Sequence, residues 1–233
     1  MTEELIRDRA ARVLERVARA AARAGRKPES VRLVAVTKTH PVKRVAEAYE
    51  AGLRAFGENY VQEAEEKVRA FPDAEWHLIG KLQANKVKKA VSLFGWIQTV
   101  DSGELLADVS RRCVEAEKTL PVLVEVNLAG EESKAGIDPG ELPALLETAA
   151  GLPGVTVRGL MAIPPATVDP EDSRPYFARL RELLSRTASR GAGGEMTELS
   201  MGMSNDFEVA IEEGATMVRV GTAIFGSRAR RGG

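Results

Sequence analysis

Cysteine is nearly absent: Cys113 is the single one in 233 residues. That excludes an internal disulfide framework and fits a reducing compartment. Long hydrophobic runs are missing too, since no stretch approaches the roughly twenty apolar residues of a membrane span. The opening "MTEELIRDRAARVLERVARAAARAG" mixes acids with arginines, where a secretory signal needs an unbroken apolar region. Neither sign of charge is in excess. Lys+Arg 33 against Asp+Glu 34 leave a formal charge of -1, which gives no general pull toward nucleic acid or anionic membrane. The expectation is a cytoplasmic protein with no nucleic-acid and no membrane partner. Cys113 sits in a helical stretch with nothing near it to lower its pKa, so it reads as a small packed residue.

What is present alternates. A helix rich in Ala, Arg and Leu, about Glu3 to Ala24, precedes eight short β-type runs. These are "VRLVAV", "LRAFG", "EWHLIG", "GWIQTV", "PVLVEVN", "VTVRGLM", "MTELSMG" and "TMVRVG". Between them lie segments with apolar residues at helical spacing, such as "VKRVAEAYEAG" and "GELLADVSRRCVEAEKTL". Pro41, Ser102 and Asp138 with Pro139 stand where helices should begin, and Gly25, Gly52 and Gly151 where they should end. Strands alternating with helices predict a parallel sheet. Eight units in this length predict a single-domain (β/α)8 TIM-type barrel over residues 1–233 with an extra N-terminal helix. Only "TAIFGSRARRGG" follows the last run, too little for a full eighth helix, and the N-terminal helix is expected to cover that side. The competing doubly wound sheet would place a glycine-rich turn after the first strand, where this chain has "VTKTHP". "SRGAGGEM" reads as a helix-to-strand loop.

In a barrel of this kind the site is built at the C-terminal ends of the strands. Those positions hold Lys38, Glu58, Asn59, His77, Asp101, Asn127, Met161, Ser200, Ser204, Arg219, Gly221 and Thr222. "SMGMSNDFEVAIEEG" sets Ser200, Gly202 and Ser204 in a short turn before a helix, and Gly221 and Thr222 follow the last strand. Hydroxyls, small residues and a helix start suit a phosphate, although Ser204 or Asn205 could equally be a plain helix cap. Lys38 alone could be a lysine reaching for solvent. Opposite a phosphate cup it points instead to pyridoxal 5′-phosphate, whose aldehyde forms a Schiff base with lysine. Arg219 shares strand parity with Met217. If that parity faces inward, Arg219 lies under the cofactor ring, where a guanidinium can only donate to the pyridine nitrogen. The ring would then be a weak electron sink. The alternative for Arg219 is a salt bridge to Glu212 or Glu213.

"LVAVTKTHP", "FGENYVQEAEEK", "WHLIGKLQANK", "VLVEVNLAGEESKAG", "GLMAI" and "LSMGMSNDFEVAIEEGATMVRVGTAIFG" resemble the pyridoxal-phosphate homeostasis protein family, the YggS/PROSC group. The resemblance runs from about Leu33 to Arg228. It implies a fold-type III barrel similar to the N-terminal domain of alanine racemases, without their C-terminal β domain. It also implies that Lys38 carries the cofactor, that Ser200, Ser204, Gly221 and Thr222 hold its phosphate, that Arg219 faces the pyridine nitrogen and that Asn59 lies near the ring. Apo PLP-dependent enzymes would be the recipients of the cofactor. No catalytic residue and no metal site are assigned.

The rival reading is an amino-acid racemase, which on this scaffold needs a tyrosine from the opposite face as second base. Of Tyr49, Tyr60 and Tyr176, only Tyr60 follows a strand, and the domain that would supply a partner is lacking in the pattern. A monomer is expected for the same reason. His77 reads as a packed strand residue or as one that approaches the ring, and His40 as a helix-entry residue before Pro41. Met161 should pack beneath the site. Lys81, Lys86, Lys88 and Lys89 form a solvated helix face or a contact for acidic partners. Lys134, in the loop "LAGEESKAG", is a candidate amine for cofactor transfer, with a solvated lysine paired to Glu131 or Glu132 as the alternative.

Overall fold

The computed structural model describes residues 4–131, 135–188 and 196–226. Eight parallel strands follow one another in chain order and close into a barrel, the last pairing with the first. They are β1 (Arg32–Val36), β2 (Ala55–Glu58), β3 (Glu75–Leu78), β4 (Trp96–Val100), β5 (Leu120–Glu125), β6 (Val155–Met161), β7 (Glu198–Ser200) and β8 (Met217–Val220). Each predicted run matches one, with β2 running one residue past its run to Glu58 and β5 starting one residue before its run at Leu120. The helices are α1 (Ile6–Arg23), α2 (Val42–Glu50), α3 (Val61–Ala70), α4 (Val87–Leu93), α5 (Gly103–Glu115), α6 (Leu142–Ala150), α7 (Arg174–Ala188), α8 (Phe207–Glu212) and α9 (Thr222–Phe225). No helix among the described residues is long and apolar enough to cross a membrane.

Period-two alternation sends one set of strand residues outward and the other inward. Leu33, Ala35, Phe56, Leu78, Ile97, Val122, Val124, Leu160, Val218 and Val220 belong to the apolar layer under the helices. Inside the barrel the filling differs. Leu123, Met161 and Met217 form a small apolar plug, with Trp96 packed on it. His77, Gln98, Ser200 and Arg219 are buried polar side chains linked by hydrogen bonds in the same interior. Arg219 and Met217 therefore do share the inward face.

Helix α1 buries Ile6, Ala10, Val13, Val17, Ala20 and Ala21, a stripe at helical spacing, against α2, α8 and α9. Ile6, Val13 and Val17 each contribute roughly 1.5–3 kcal/mol by leaving water. Arg16 to Glu208 and Arg23 to Glu212 tie its outer side to α8. Helix α9 has four residues, and α1 covers the flank that it leaves open.

The helix ends follow the local signals unevenly. Ser102 Oγ accepts from Leu105 N and caps α5, and Gly25 and Gly52 take positive φ after α1 and α2. Asp138 opens no helix: its carboxylate accepts from Gly140 N in a turn, and α6 starts at Leu142. Gly151 closes α6 without leaving the right-handed region.

Candidate functional site

The first strand ends in a tightly held turn. Thr37 N donates to Gly57 O, and His40 N donates back to Thr37 O. Thr39 takes a φ of 65°, unusual for a β-branched residue, and its amide donates to Glu63 Oε2 on α3 at 2.9 Å. Lys67, also on α3, donates to Thr37 O at 2.8 Å and to Glu58 Oε1 at 2.6 Å. Thr37 Oγ1 donates to the same carboxylate oxygen. Glu58 and Lys67 are both buried, at 0% and 4% exposure. Burial pushes the Glu58 carboxyl above its ordinary range, against the pull of Lys67, and its Oε2 has no partner. Thr37, on one side of Lys38, is thus held by the Glu58–Lys67 ion pair and Thr39, on the other, by Glu63, and Lys38 itself is half-buried at the strand end.

The opposite wall comes from the ends of β7 and β8. Gly202 has a φ of 88°, and a Cβ there would lie 2.5 Å from Ala210 Cβ and 2.9 Å from Phe207 Cα. Only glycine lets the turn press onto α8. Asp206 Oδ1 accepts from Met203 N and stiffens that turn. Ser204 Oγ then accepts from Gly221 N at 3.2 Å and Ala223 N at 3.3 Å. Two amides aimed at one oxygen are what an anion would meet here.

A cavity of about 320 Å³ lies between these walls, lined among others by Lys38, Asn59, Ser204, Arg219, Gly221 and Thr222. A second space of about 240 Å³ beside it shares Asn59, Ile79 and Ile163 and adds Lys81, Thr99 and Glu125. Gly80 brings the third strand's end against the Asn59 backbone, since a Cβ would sit 2.3 Å from Asn59 O. Arg219, 3% exposed, donates to Ser200 Oγ at 2.6 Å and Ala162 O at 3.0 Å. Burial lowers its pKa to about 10, with Glu125 and Asp206 opposing. At neutral pH it still holds its proton and is a donor only. Burial raises Glu125 to about 7, opposed first by Arg219.

Six of the expected residues, Lys38, Asn59, Ser204, Arg219, Gly221 and Thr222, therefore meet in one space. Ser200 does not join them. It points into the barrel, donates to Gln98 Oε1 at 2.6 Å and receives Arg219, so its hydroxyl is spent below the cavity floor. Glu212 and Glu213, the alternative partners for Arg219, pair instead with Arg23, Arg174 and Arg181. His77 is wholly buried and does not line the cavity, His40 stacks on Phe225, and Met161 is in the plug as expected. Asn127 organises its own loop, receiving Gly130 N and donating to Glu131 O. Tyr60 is 55% exposed and outside the cavity lining. Cys113 is buried, with its thiol pKa pushed up. Of the four helix-face lysines, Lys81 lies near Asp101 and Lys89 pairs with Glu65. Lys134 lies outside the described residues. Gln98, Glu125 and the Glu58–Lys67 pair were not anticipated as parts of the site, although Glu58 was noted at its strand end.

Residues 10–229 match the family described as alanine racemase, N-terminal domain. The pyridoxal phosphate homeostasis protein of Aquifex aeolicus is 46% identical over 223 residues, 95% of this chain and 97% of that protein. The protein of that name from Pseudomonas aeruginosa is 45% identical, covering 96% of each. Among solved structures, PipY of Synechococcus elongatus with PLP bound superposes with a TM-score of 0.81 at 42% identity, over 90% of this chain and all of that one. Alanine racemase from Corynebacterium glutamicum shares the fold at 17% identity, with a TM-score of 0.67 over 92% of this chain and 61% of that one.

Proposed function

We propose, for a chain that belongs to the pyridoxal phosphate homeostasis protein family, that it binds pyridoxal 5′-phosphate at the strand ends and buffers or delivers it. The observation that carries this reading is the convergence of an amine, a buried guanidinium and two backbone amides on one cavity. Its size falls in the range of small-molecule sites, roughly 300–1,000 Å³. Bound there, the cofactor supplies an aldehyde that condenses reversibly with primary amines and a ring that can withdraw electrons.

Lys38 would hold the aldehyde end. Ser204, Gly221 and Thr222 would hold the phosphate, with the Gly221 and Ala223 amides as donors. Arg219 would face the ring nitrogen and Asn59 the ring. A donor-only guanidinium offers that nitrogen no proton, which favours holding over amino-acid chemistry. Ser200 moves in this reading from the phosphate to the support of Arg219. The names of the relatives suit a non-catalytic role. The protein acts as a cytoplasmic monomer that gives the cofactor to apo PLP-dependent enzymes. Sedimentation at micromolar concentration should show one chain, and a tight dimer would count against that part.

Ser204→Ala combined with Thr222→Ala should weaken binding by about 1–3 kcal/mol, through lost bonds to a charged group. Titration of the apo-protein measures this. Unchanged affinity would move the phosphate elsewhere. Wild type should racemise no amino acid steadily, and turnover of about 1 per second or faster, the low end for enzymes, would replace the carrier by a racemase.

A further inference from the structure

Five side chains run through the barrel interior from one mouth to the other. Arg219 NH1 donates to Ser200 Oγ at 2.6 Å, and Ser200 donates to Gln98 Oε1 at 2.6 Å. Gln98 Nε2 lies 2.8 Å from His77 Nδ1, and His77 Nε2 lies 2.5 Å from Glu75 Oε1. Glu75 is at the N-terminal end of β3 with its side chain 38% exposed, so the series begins in solvent at the mouth opposite the cavity.

With His77 neutral, the direction of each bond follows. A guanidinium cannot accept, so Ser200 accepts from Arg219 and has its single proton left for Gln98. The Gln98 oxygen then faces Ser200 and its NH2 faces His77. Nδ1 must therefore be the lone pair, and Nε2 carries the proton that goes to Glu75. This arrangement requires neutral His77. The groups around it are Glu75 on its own strand, Arg32 on β1, Trp96 stacked at 5.6 Å on β4 and Glu198 on β7. Burial, helped by Arg32, outweighs the two carboxylates and keeps the ring below its ordinary pKa. With the ring neutral and Nε2 donating to Glu75, Nδ1 can only accept, so the Gln98 NH2 faces it and the Gln98 oxygen takes the Ser200 proton.

We propose that Ser200, Gln98 and His77 are positioning residues, a one-way hydrogen-bonded chain anchored on Glu75 that fixes the Arg219 guanidinium toward the ring nitrogen of the cofactor. This rests on the proposed function. His77 touches no part of the cavity and acts through Gln98 and Ser200.

The test uses two ligands on the apo-protein: pyridoxal 5′-phosphate and its 1-deaza analogue, which has carbon in place of the ring nitrogen. His77→Leu removes the acceptor for Gln98 and should weaken PLP about tenfold, while affinity for the analogue stays within about twofold of wild type. His77→Asn offers a carbonyl oxygen to Gln98 and should restore most of the loss. Ser200→Ala, a one-atom deletion that keeps the fold if His77→Leu does not, should show the same selective loss. Equal losses for both ligands, or none, overturn the proposal, since a purely structural role or a phosphate contact by Ser200 would not distinguish them. Wild type that binds neither ligand overturns the cofactor reading and the proposal with it.

Discussion

Lys38→Ala should abolish the borohydride-reducible yellow species expected of the wild type with pyridoxal 5′-phosphate, while the variant keeps its fold. The loss is complete because Lys38 is the lysine lining the larger cavity. The fold survives because the turn is held by neighbouring backbone: Thr37 O by Lys67, Thr39 N by Glu63, and His40 N by Thr37 O. Removing a half-buried side chain from such a turn should change stability by about 0.5 kcal/mol or less. Reduction, digestion and mass analysis of the wild type should find the label on the peptide containing Lys38. A label on Lys81, in the adjoining space, with undiminished yield in Lys38→Ala, would give the role to that lysine instead.

Lys67→Met is expected to be the most destabilising single change near the site. It strips the cation from a carboxylate with no exposure, whose Oε2 already lacks a partner. Breaking a buried pair from one side costs about 3–5 kcal/mol. Denaturant unfolding measures it, and a loss under about 1 kcal/mol would show that Glu58 is solvated after all. The pH dependence gives a second check. Glu58 has a raised pKa in the folded state, so the folded protein binds its proton more readily than the unfolded chain does. Stability from this group is therefore present at low pH and is lost as pH rises from the unfolded carboxyl value toward the folded one. Without Lys67 the shift grows, so the deficit of the variant should shrink as the solution is acidified from pH 7 toward pH 5. A deficit that grows on acidification would refute the assignment. Lys67→Met should also slow loading of Lys38, because Thr37 O loses its anchor.

The barrel was legible because its strands are short, β-branched and evenly spaced, and because each is followed by a segment with helical periodicity. Parity paired Arg219 with Met217, and the fold puts that pair inside the barrel. For Ser200 the signal was its place in a turn before a helix, which Gly202 and Ser204 share, so sequence does not tell a residue bonded inside the barrel from one at the cavity. The positive φ of Gly202 separates them, leaving Ser200 as the last inward residue of β7 and sending Ser204 to the cavity. The interior series carried a signal that could have been followed. Gln98 is a polar residue inside the apolar run "WIQTV", and a buried amide in a strand must find partners. Glu75 and His77 share parity two residues apart. The Glu58–Lys67 pair was not legible, because it depends on how α3 lies against β2, and sequence spacing does not report that.

The closure of the barrel has a consequence for biosynthesis. Lys38 follows the first strand to be made, whereas Arg219 and Gly221 belong to the last strand and its exit. β1 gains its second neighbour only when β8 pairs with it. Such non-local pairing is slow to form, because a long loop must close before its contacts repay the entropy. A nascent chain that has exposed Lys38 but not yet β8 has one wall of the cavity and not the other. On the proposed function, cofactor capture is therefore a late event that waits for ring closure.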